Sequence, residues 1–158
     1  MILFCTGTNR QDFTRMVKAA DDYAQTTSER IIVQYGHTHY KFKNIKECFS
    51  FCSKDDMLGL MKEADVLVLQ GGCGAICEAV KMGKRIVSIP RIDGVEHIHN
   101  QEQYVRKMEE LGCVIGVYDI KDLSNAIEKA KTYSFKPIEK GQGPSIIKEI
   151  LYDWFSIR

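Results

Sequence analysis

No apolar run in this chain approaches the ~18–20 residues that a membrane-crossing helix needs. The opening residues Met1–Thr8 lack a basic segment and turn to threonine and glycine too early for a secretory signal, so a cytosolic chain is expected. Charge is scarce as an overall signal too. The formal net charge is +1, which gives no global electrostatic case for nucleic acid, and no nucleic-acid partner is expected. There are six cysteines but no C-x2-C pair. Cys48 and Cys52 are spaced C-x3-C, and Cys73 and Cys77 stand four apart, which is not structural zinc spacing. Cys5 and Cys113 lie in apolar runs, where cysteine acts as a small hydrophobe. All six are expected to be reduced, with no metal and no cofactor. G-x-G-x-x-G is also missing: in Gly72-Cys73-Gly74-Ala75-Ile76-Cys77 a cysteine takes the third glycine position. No G-x-x-x-x-G-K-[ST] occurs either, which argues against a nicotinamide dehydrogenase and a P-loop kinase. Internal repeats and low-complexity tracts are absent.

What is present is organised around Asp65–Pro90. Val66–Leu69 is a continuous apolar run, as in a parallel strand buried on both faces. Gly71, Gly72 and Gly74 follow, then a helix expected from about Ala75 to Met82, then a strand at Ile86–Ile89 ended by Pro90. Upstream, Ile2–Cys5 and Ile31–Gln34 read as strands. A helix between them starts near Asp12, with Phe13, Met16, Val17 and Ala20 on one face. Cys48–Cys52 is a third strand, and Ser53 caps a helix carrying Met57, Leu58, Leu60 and Met61. Downstream, Asn100 caps a helix to about Leu111, Val114–Val117 is a last strand, and a helix spans Asp119 to about Lys131. This alternation predicts an α/β fold, a parallel sheet with helices on both faces, as a domain over residues 1–134. Residues 135–158 read as a linker and an amphipathic helix bearing Ile146, Ile147, Ile150, Leu151 and Trp154.

Ligands of such sheets bind beyond the carboxyl ends of the strands. The loops expected there, 6–10, 36–44, 70–75 and 90–100, hold all four histidines. Gly71–Ala75 opening a helix is a natural anion site, because free N–H groups and the positive dipole end face outward. By spacing alone it is equally a tight strand–helix turn. Glu78, one turn into the helix, can accept hydrogen bonds from the two hydroxyls of a ribose, or simply favour the positive helix start. The amides of Asn100 and Gln101 suit sugar hydroxyls and phosphate oxygens; the plainer alternatives are an N-cap and solvent exposure. The pairs His37-x-His39 and His97-x-His99 lack a carboxylate or cysteine at ligand spacing, so no metal is assigned to them.

Taken jointly, several stretches resemble the donor-binding C-terminal domain of family 28 glycosyltransferases: Thr6-Gly7-Thr8, Phe13, Gln34-Tyr35-Gly36, Ala64-Asp65, Gly71-Gly72-Cys73-Gly74, Glu78-Ala79, Gly83-Lys84, Pro90-Arg91, Glu96-His97 and Asn100-Gln101. The similarity is greatest to the free-standing soluble subunit of two-part enzymes, which build the dolichol-linked oligosaccharide or bacterial capsule and exopolysaccharide. It implies a Rossmann-like half of a GT-B glycosyltransferase. By that resemblance the substrate-binding residues are Thr8, Gly71, Gly72, Cys73, Gly74, Ala75, Glu78, His97, Asn100 and Gln101, and the donor is a UDP-sugar. The diphosphate would sit on Gly71–Ala75, with Thr8 approaching from the first loop and Glu78 on the ribose. A membrane-associated partner subunit would bring a lipid-linked acceptor, holding this chain at the membrane periphery. No catalytic base is assigned. Gln70 stands where such chains place His, and Ala75 where they place Ser or Thr. Those departures motivate the alternative of a non-catalytic interaction subunit; a stand-alone epimerase is a weaker third.

Overall fold

In the computed structural model, which describes residues 1–138 and Gly141, six parallel strands form one sheet in the order β3-β2-β1-β4-β5-β6. The strands are β1 Ile2–Cys5, β2 Ile31–Gln34, β3 Glu47–Phe49, β4 Val66–Gln70, β5 Arg85–Ile89 and β6 Ile115–Gly116. The helices are α1 Thr14–Tyr23, α2 Lys54–Glu63, α3 Cys73–Lys81, α4 Gln101–Glu110 and α5 Leu123–Thr132, the last preceded by a single 3-10 turn at Ile120–Asp122. β1 is central: Ile2 pairs with Ile31 on one side and Val66 on the other.

Side chains alternate across this sheet and make two cores. Ile2, Phe4, Val33, Val66, Val68, Val87 and Ile89 meet α1 and α5 through Met16, Val17, Ala20 and Ile127. Leu3, Cys5, Ile32, Leu67, Leu69 and Ile86 meet α2, α3 and α4 through Met61, Ile76, Ala79, Val105 and Met108. Burial on both faces is why the central strands read as unbroken apolar runs rather than alternating ones. The two strand series diverge from β1 and β4, so the topological switch point, where doubly wound sheets bind ligands, lies between their carboxyl ends.

Besides shifts of a residue or so at other ends, four elements depart from expectation. α3 begins at Cys73, because Gly72 takes the extended N-cap conformation and the chain turns helical at once. Cys73, Gly74 and Ala75 are therefore a first helical turn, not a loop. β3 stops at Phe49, since the chain must turn to set Ser53 at the N-cap of α2, where its Oγ accepts from Asp56 N at 3.1 Å. β6 keeps two residues; the Gly116 N–H on its edge donates to the Glu109 carboxylate at 2.8 Å. The helix expected from Asp119 is a 3-10 turn first, with Asp119 capping Lys121 N at 3.0 Å. At the end of the described chain, Phe135 packs on the first core and Lys136 N donates to Gly112 O at 2.9 Å. The expected terminal amphipathic helix lies outside the described residues.

Candidate functional site

The site is built from backbone first. Gly71 has no room for a side chain: a Cβ there would stand 2.9 Å from Gln101 Cβ and Val105 Cγ2. That close approach lets α4 support the turn between β4 and α3. Among the described residues no side chain caps α3, and the first of its amides with an acceptor is that of Ile76, to Gly72 O at 3.3 Å. The N–H groups of Cys73, Gly74 and Ala75 thus form an unsatisfied, partly positive helix start. Among the described residues nothing lies within 4 Å of a Cβ placed on Gly74, so space opens directly over this turn.

That space belongs to a cavity of ≈ 370 Å³ at the switch point. Its walls come from the end of β1 and the following loop (Cys5, Gly7, Thr8), from the segment before α2 (Phe51 to Ser53), from α2 (Lys54, Met57, Leu58, Met61) and from α3 (Gly74, Ala75, Glu78). The lining is mostly apolar, with Lys54 and Glu78 as its charged side chains. The Glu78 side chain is 45 % exposed and touches Lys81 Nζ at 3.3 Å, a surface contact that leaves the carboxylate free to accept from a ligand. On the β1 side, Gly7 adopts φ +80°, a conformation suited to glycine. The Gln34 amide clamps it both ways, accepting from Gly7 N at 3.0 Å and donating to Gly7 O and Ser50 O at 2.9 Å each.

Of the residues singled out from sequence, Thr8, Gly74, Ala75 and Glu78 meet on this cavity, with Gly71, Gly72 and Cys73 forming the turn beside it. The other three stand elsewhere. Asn100 caps α4, its Oδ1 accepting from Gln103 N at 3.0 Å. His97 Nδ1 accepts from His99 N at 2.9 Å within the β5–α4 loop. Gln101 is buried, and both ends of its amide are engaged inside the protein, with Arg91 N at 3.0 Å and Gln70 Oε1 at 3.3 Å.

The sequence matches the description "Glycosyltransferase family 28 C-terminal domain" over residues 1–150. The chain belongs to this family. A search of curated proteins gives no match. Among solved structures it is similar to the crystal structure of the glycotransferase of kitacinnamycin, with a TM-score of 0.63 and 17% identity over 83% of this chain. It spans only about a third of that protein, 34% of its length. It is also similar to the NMR solution structure of ALG13, with a TM-score of 0.57 and 18% identity over 94% of this chain and 92% of that one. Likenesses at this identity concern the fold, and the Rossmann-like architecture expected from sequence is the one found.

Beyond its glycine turn, this family 28 domain carries two groups that sequence reasoning missed. The first is the Phe51–Lys54 stretch on the cavity wall, two residues of which, Phe51 and Cys52, fall within the strand expected from sequence at Cys48–Cys52. The second is Arg91, only 2% exposed. Its guanidinium donates to Thr6 O at 3.0 Å, Gln11 O at 2.9 Å and Gln70 Oε1 at 2.8 Å, and lies 4.3 Å from the centre of the Phe13 ring. Burial lowers its pKa from the ordinary arginine value, and nearby Glu96 and Asp12 counteract that. Arg15 completes the platform, with Glu96 Oε2 at 2.8 Å and Pro90 O at 2.9 Å.

Proposed function

We propose that this chain is the donor-binding, catalytic half of a bipartite inverting glycosyltransferase, transferring a hexosyl or N-acetylhexosaminyl group from a UDP-sugar to a lipid-linked saccharide in capsule, exopolysaccharide or glycolipid synthesis. The observation that carries this reading is the switch-point cavity, where Glu78, Thr8 and the uncapped start of α3 surround one apolar space. The base stacks among Phe51 and Met57, the ribose hydroxyls donate to Glu78, and the diphosphate lies over the Cys73–Ala75 amides. Departure of UDP builds negative charge on the diphosphate, and preorganised N–H donors stabilise it as it forms. Among the described cavity-lining residues there is no imidazole, and Glu78 is the one carboxylate. With Glu78 on the ribose, the base that activates the acceptor hydroxyl comes from the partner subunit. Among the described residues no helix is long and apolar enough to cross a membrane. In this reading the chain is cytoplasmic, and the membrane-associated partner brings the lipid-linked acceptor.

Calorimetry or ligand-observed NMR should show UDP bound in preference to ADP and NAD. Glu78→Ala removes a charge-assisted pair of hydrogen bonds worth roughly 1.5–3 kcal/mol, so UDP affinity should fall about tenfold or more. The half-exposed position of Glu78 predicts an unchanged fold. Unchanged UDP affinity in a folded Glu78→Ala protein, or no preference for UDP at millimolar concentration, removes the donor-site reading. A non-catalytic subunit is favoured by one feature, the methyl of Ala75 on the cavity where a hydroxyl would serve a phosphate. Such a subunit would raise its partner's activity equally well as wild type and as Glu78→Ala.

A further inference from the structure

Gln70 closes β4 at the switch point, and its amide orientation is dictated by its neighbours. The chain of donors starts from a backbone group that has no alternative. Arg91 N–H donates to the side chain of Gln101 at 3.0 Å, so the atom it meets must be Gln101 Oε1. The other end of that amide is therefore the NH2 group, and it faces Gln70 at 3.3 Å. Arg91 Nε–H, a donor without acceptor capacity, faces the same Gln70 atom at 2.8 Å. Two donors converge on one atom, which must be Gln70 Oε1. Gln70 Nε2 then points the other way.

That other way is the switch-point crevice. Nε2 lies in the slot between the two glycine turns: a Cβ on Gly7 would stand 2.1 Å from it and a Cβ on Gly72 3.1 Å. Among the described residues Nε2 donates to no acceptor, while Oε1 accepts two bonds. The slot adjoins the cavity, since Gly7 is part of its wall, and Gly72 is the N-cap of α3. An amide donor fixed between a glycine turn and a helix start, with its oxygen held back by a buried cation, suits an anionic oxygen. A sugar hydroxyl would leave the choice of amide orientation open; a phosphate oxygen accepts only.

We infer that Gln70 Nε2 is a hydrogen-bond donor to a phosphate oxygen of the bound nucleoside diphosphate, and that Arg91 is the positioning residue that holds it so, with Gln101 as the second clamp. This deepens the nucleotide reading above and rests on it. Arg91 itself touches no ligand. It acts by making the flipped amide, with oxygen toward the phosphate, unavailable: a flip would set the Gln70 NH2 against two donors. Gln101, expected from sequence to contact the donor, acts here through Gln70. The same arrangement accounts for glycine at position 7 twice over, by φ and by the space that Nε2 fills.

The test compares UDP with uridine, which shares base and ribose but has no phosphate. Gln70→Glu keeps the shape, pairs its carboxylate with Arg91 and turns the donor into a second negative oxygen. UDP affinity should fall about tenfold or more while uridine affinity stays at the wild-type level. Arg91→Lys keeps the charge but loses the Nε–H and the fork that fix the amide. It should weaken UDP and spare uridine in the same sense. In wild-type protein labelled with nitrogen-15, the Gln70 side-chain NH2 signal should shift on adding UDP and not on adding uridine. If Arg91 is merely structural, Arg91→Lys weakens both ligands alike, and that result overturns its positioning role. Equal UDP binding by wild type and Gln70→Glu overturns the donor assignment while the nucleotide reading stands. No UDP binding to the wild type overturns both. Should Arg91→Lys fail to fold, Gln70→Glu and the NH2 signal decide alone.

Discussion

Asp21 sits near the end of α1, only 1% exposed, and its carboxylate holds the β2–β3 connection. It accepts from Lys43 N at 3.0 Å, Asn44 N at 2.9 Å and Ile45 N at 3.1 Å, and from Tyr40 OH at 3.3 Å. Burial opposes its ionisation, and the amides outweigh that, leaving the carboxyl below its usual range. Asp21→Ala leaves these amides without their acceptor. Lys43 and Asn44 are exposed and their N–H groups can turn to water, but Ile45 is buried and its N–H cannot. An orphaned buried donor costs about 1–3 kcal/mol and a lost charge-assisted bond a similar amount, so the total should be about 2–6 kcal/mol. In a domain of this size each kcal/mol moves Tm by about 2–4 °C, giving a fall of roughly 4–24 °C. The pH dependence has a definite sign. A carboxyl with a depressed folded pKa stabilises fully above its unfolded value of about 3.9, and loses that contribution as pH falls through the folded value. The Tm gap between wild type and Asp21→Ala should therefore be constant from neutral pH to about 5 and narrow as pH falls below about 4. Circular dichroism melts across this range read it directly. A gap within about 2 °C at neutral pH, or one that widens on acidification, refutes the argument. The consequence reaches the site, because Ile45 leads into β3, and the end of β3 delivers Phe51 and Cys52 to the cavity.

Ser53→Ala removes the N-cap of α2 on the cavity rim, and should cost about 1 kcal/mol and lower Tm by about 2–4 °C. Cysteine labelling should separate the thiols by position: burial, and then Cys52, push Cys5 up to about 12, so it should resist iodoacetamide at neutral pH in the folded protein. Cys52 and Cys48 are both exposed, but only Cys52 lines the cavity, so UDP should slow labelling of Cys52 and leave Cys48 unchanged. Mass spectrometry after timed labelling reads each site, and equal protection of both places the nucleotide elsewhere.

Much of the fold was legible because its strands are buried on both faces. Ile2–Cys5 and Ile31–Gln34 run from their first to their last apolar or strand-ending residue, and the structure keeps both boundaries. The start of α3 was harder: Cys73 and Gly74 are poor helix formers, and only the N-cap geometry at Gly72 shows that the helix has begun. The cavity wall at Phe51–Lys54 did have a signal. Ser53 reads as a cap, and a strand cannot run to Cys52 and still leave room for the turn into that cap; a strand ending at Phe49 sets residues 50–53 at a carboxyl end, beside the other candidate loops. Arg91 belongs to a stretch of the resemblance, Pro90-Arg91, but its type and spacing give it no place in the interior; only the convergence of Thr6, Gln11 and Gln70 around it shows that it is buried. The same convergence takes in Gln101, whose amide sequence spacing could not distinguish from a ligand contact.

The division of labour in the proposed enzyme follows from how open the cavity is. Amides at a helix start stabilise charge weakly when water competes for it, and strongly when water is excluded. In this chain alone Gly74 and Ala75 of the α3 start line a cavity with Glu78 half exposed on its edge. Such a site can hold a nucleotide through base and ribose contacts, yet it leaves the diphosphate hydrated. Covering that face with a second subunit would strengthen each hydrogen bond to the leaving group at the moment charge develops, and would bring the acceptor and its base by the same motion. The donor contacts of Gln70 and α3 then contribute more to the transition state in the complex than to binding in the isolated chain. On this argument Gln70→Glu should lower transfer by the assembled enzyme by a larger factor than it lowers UDP affinity of the subunit alone.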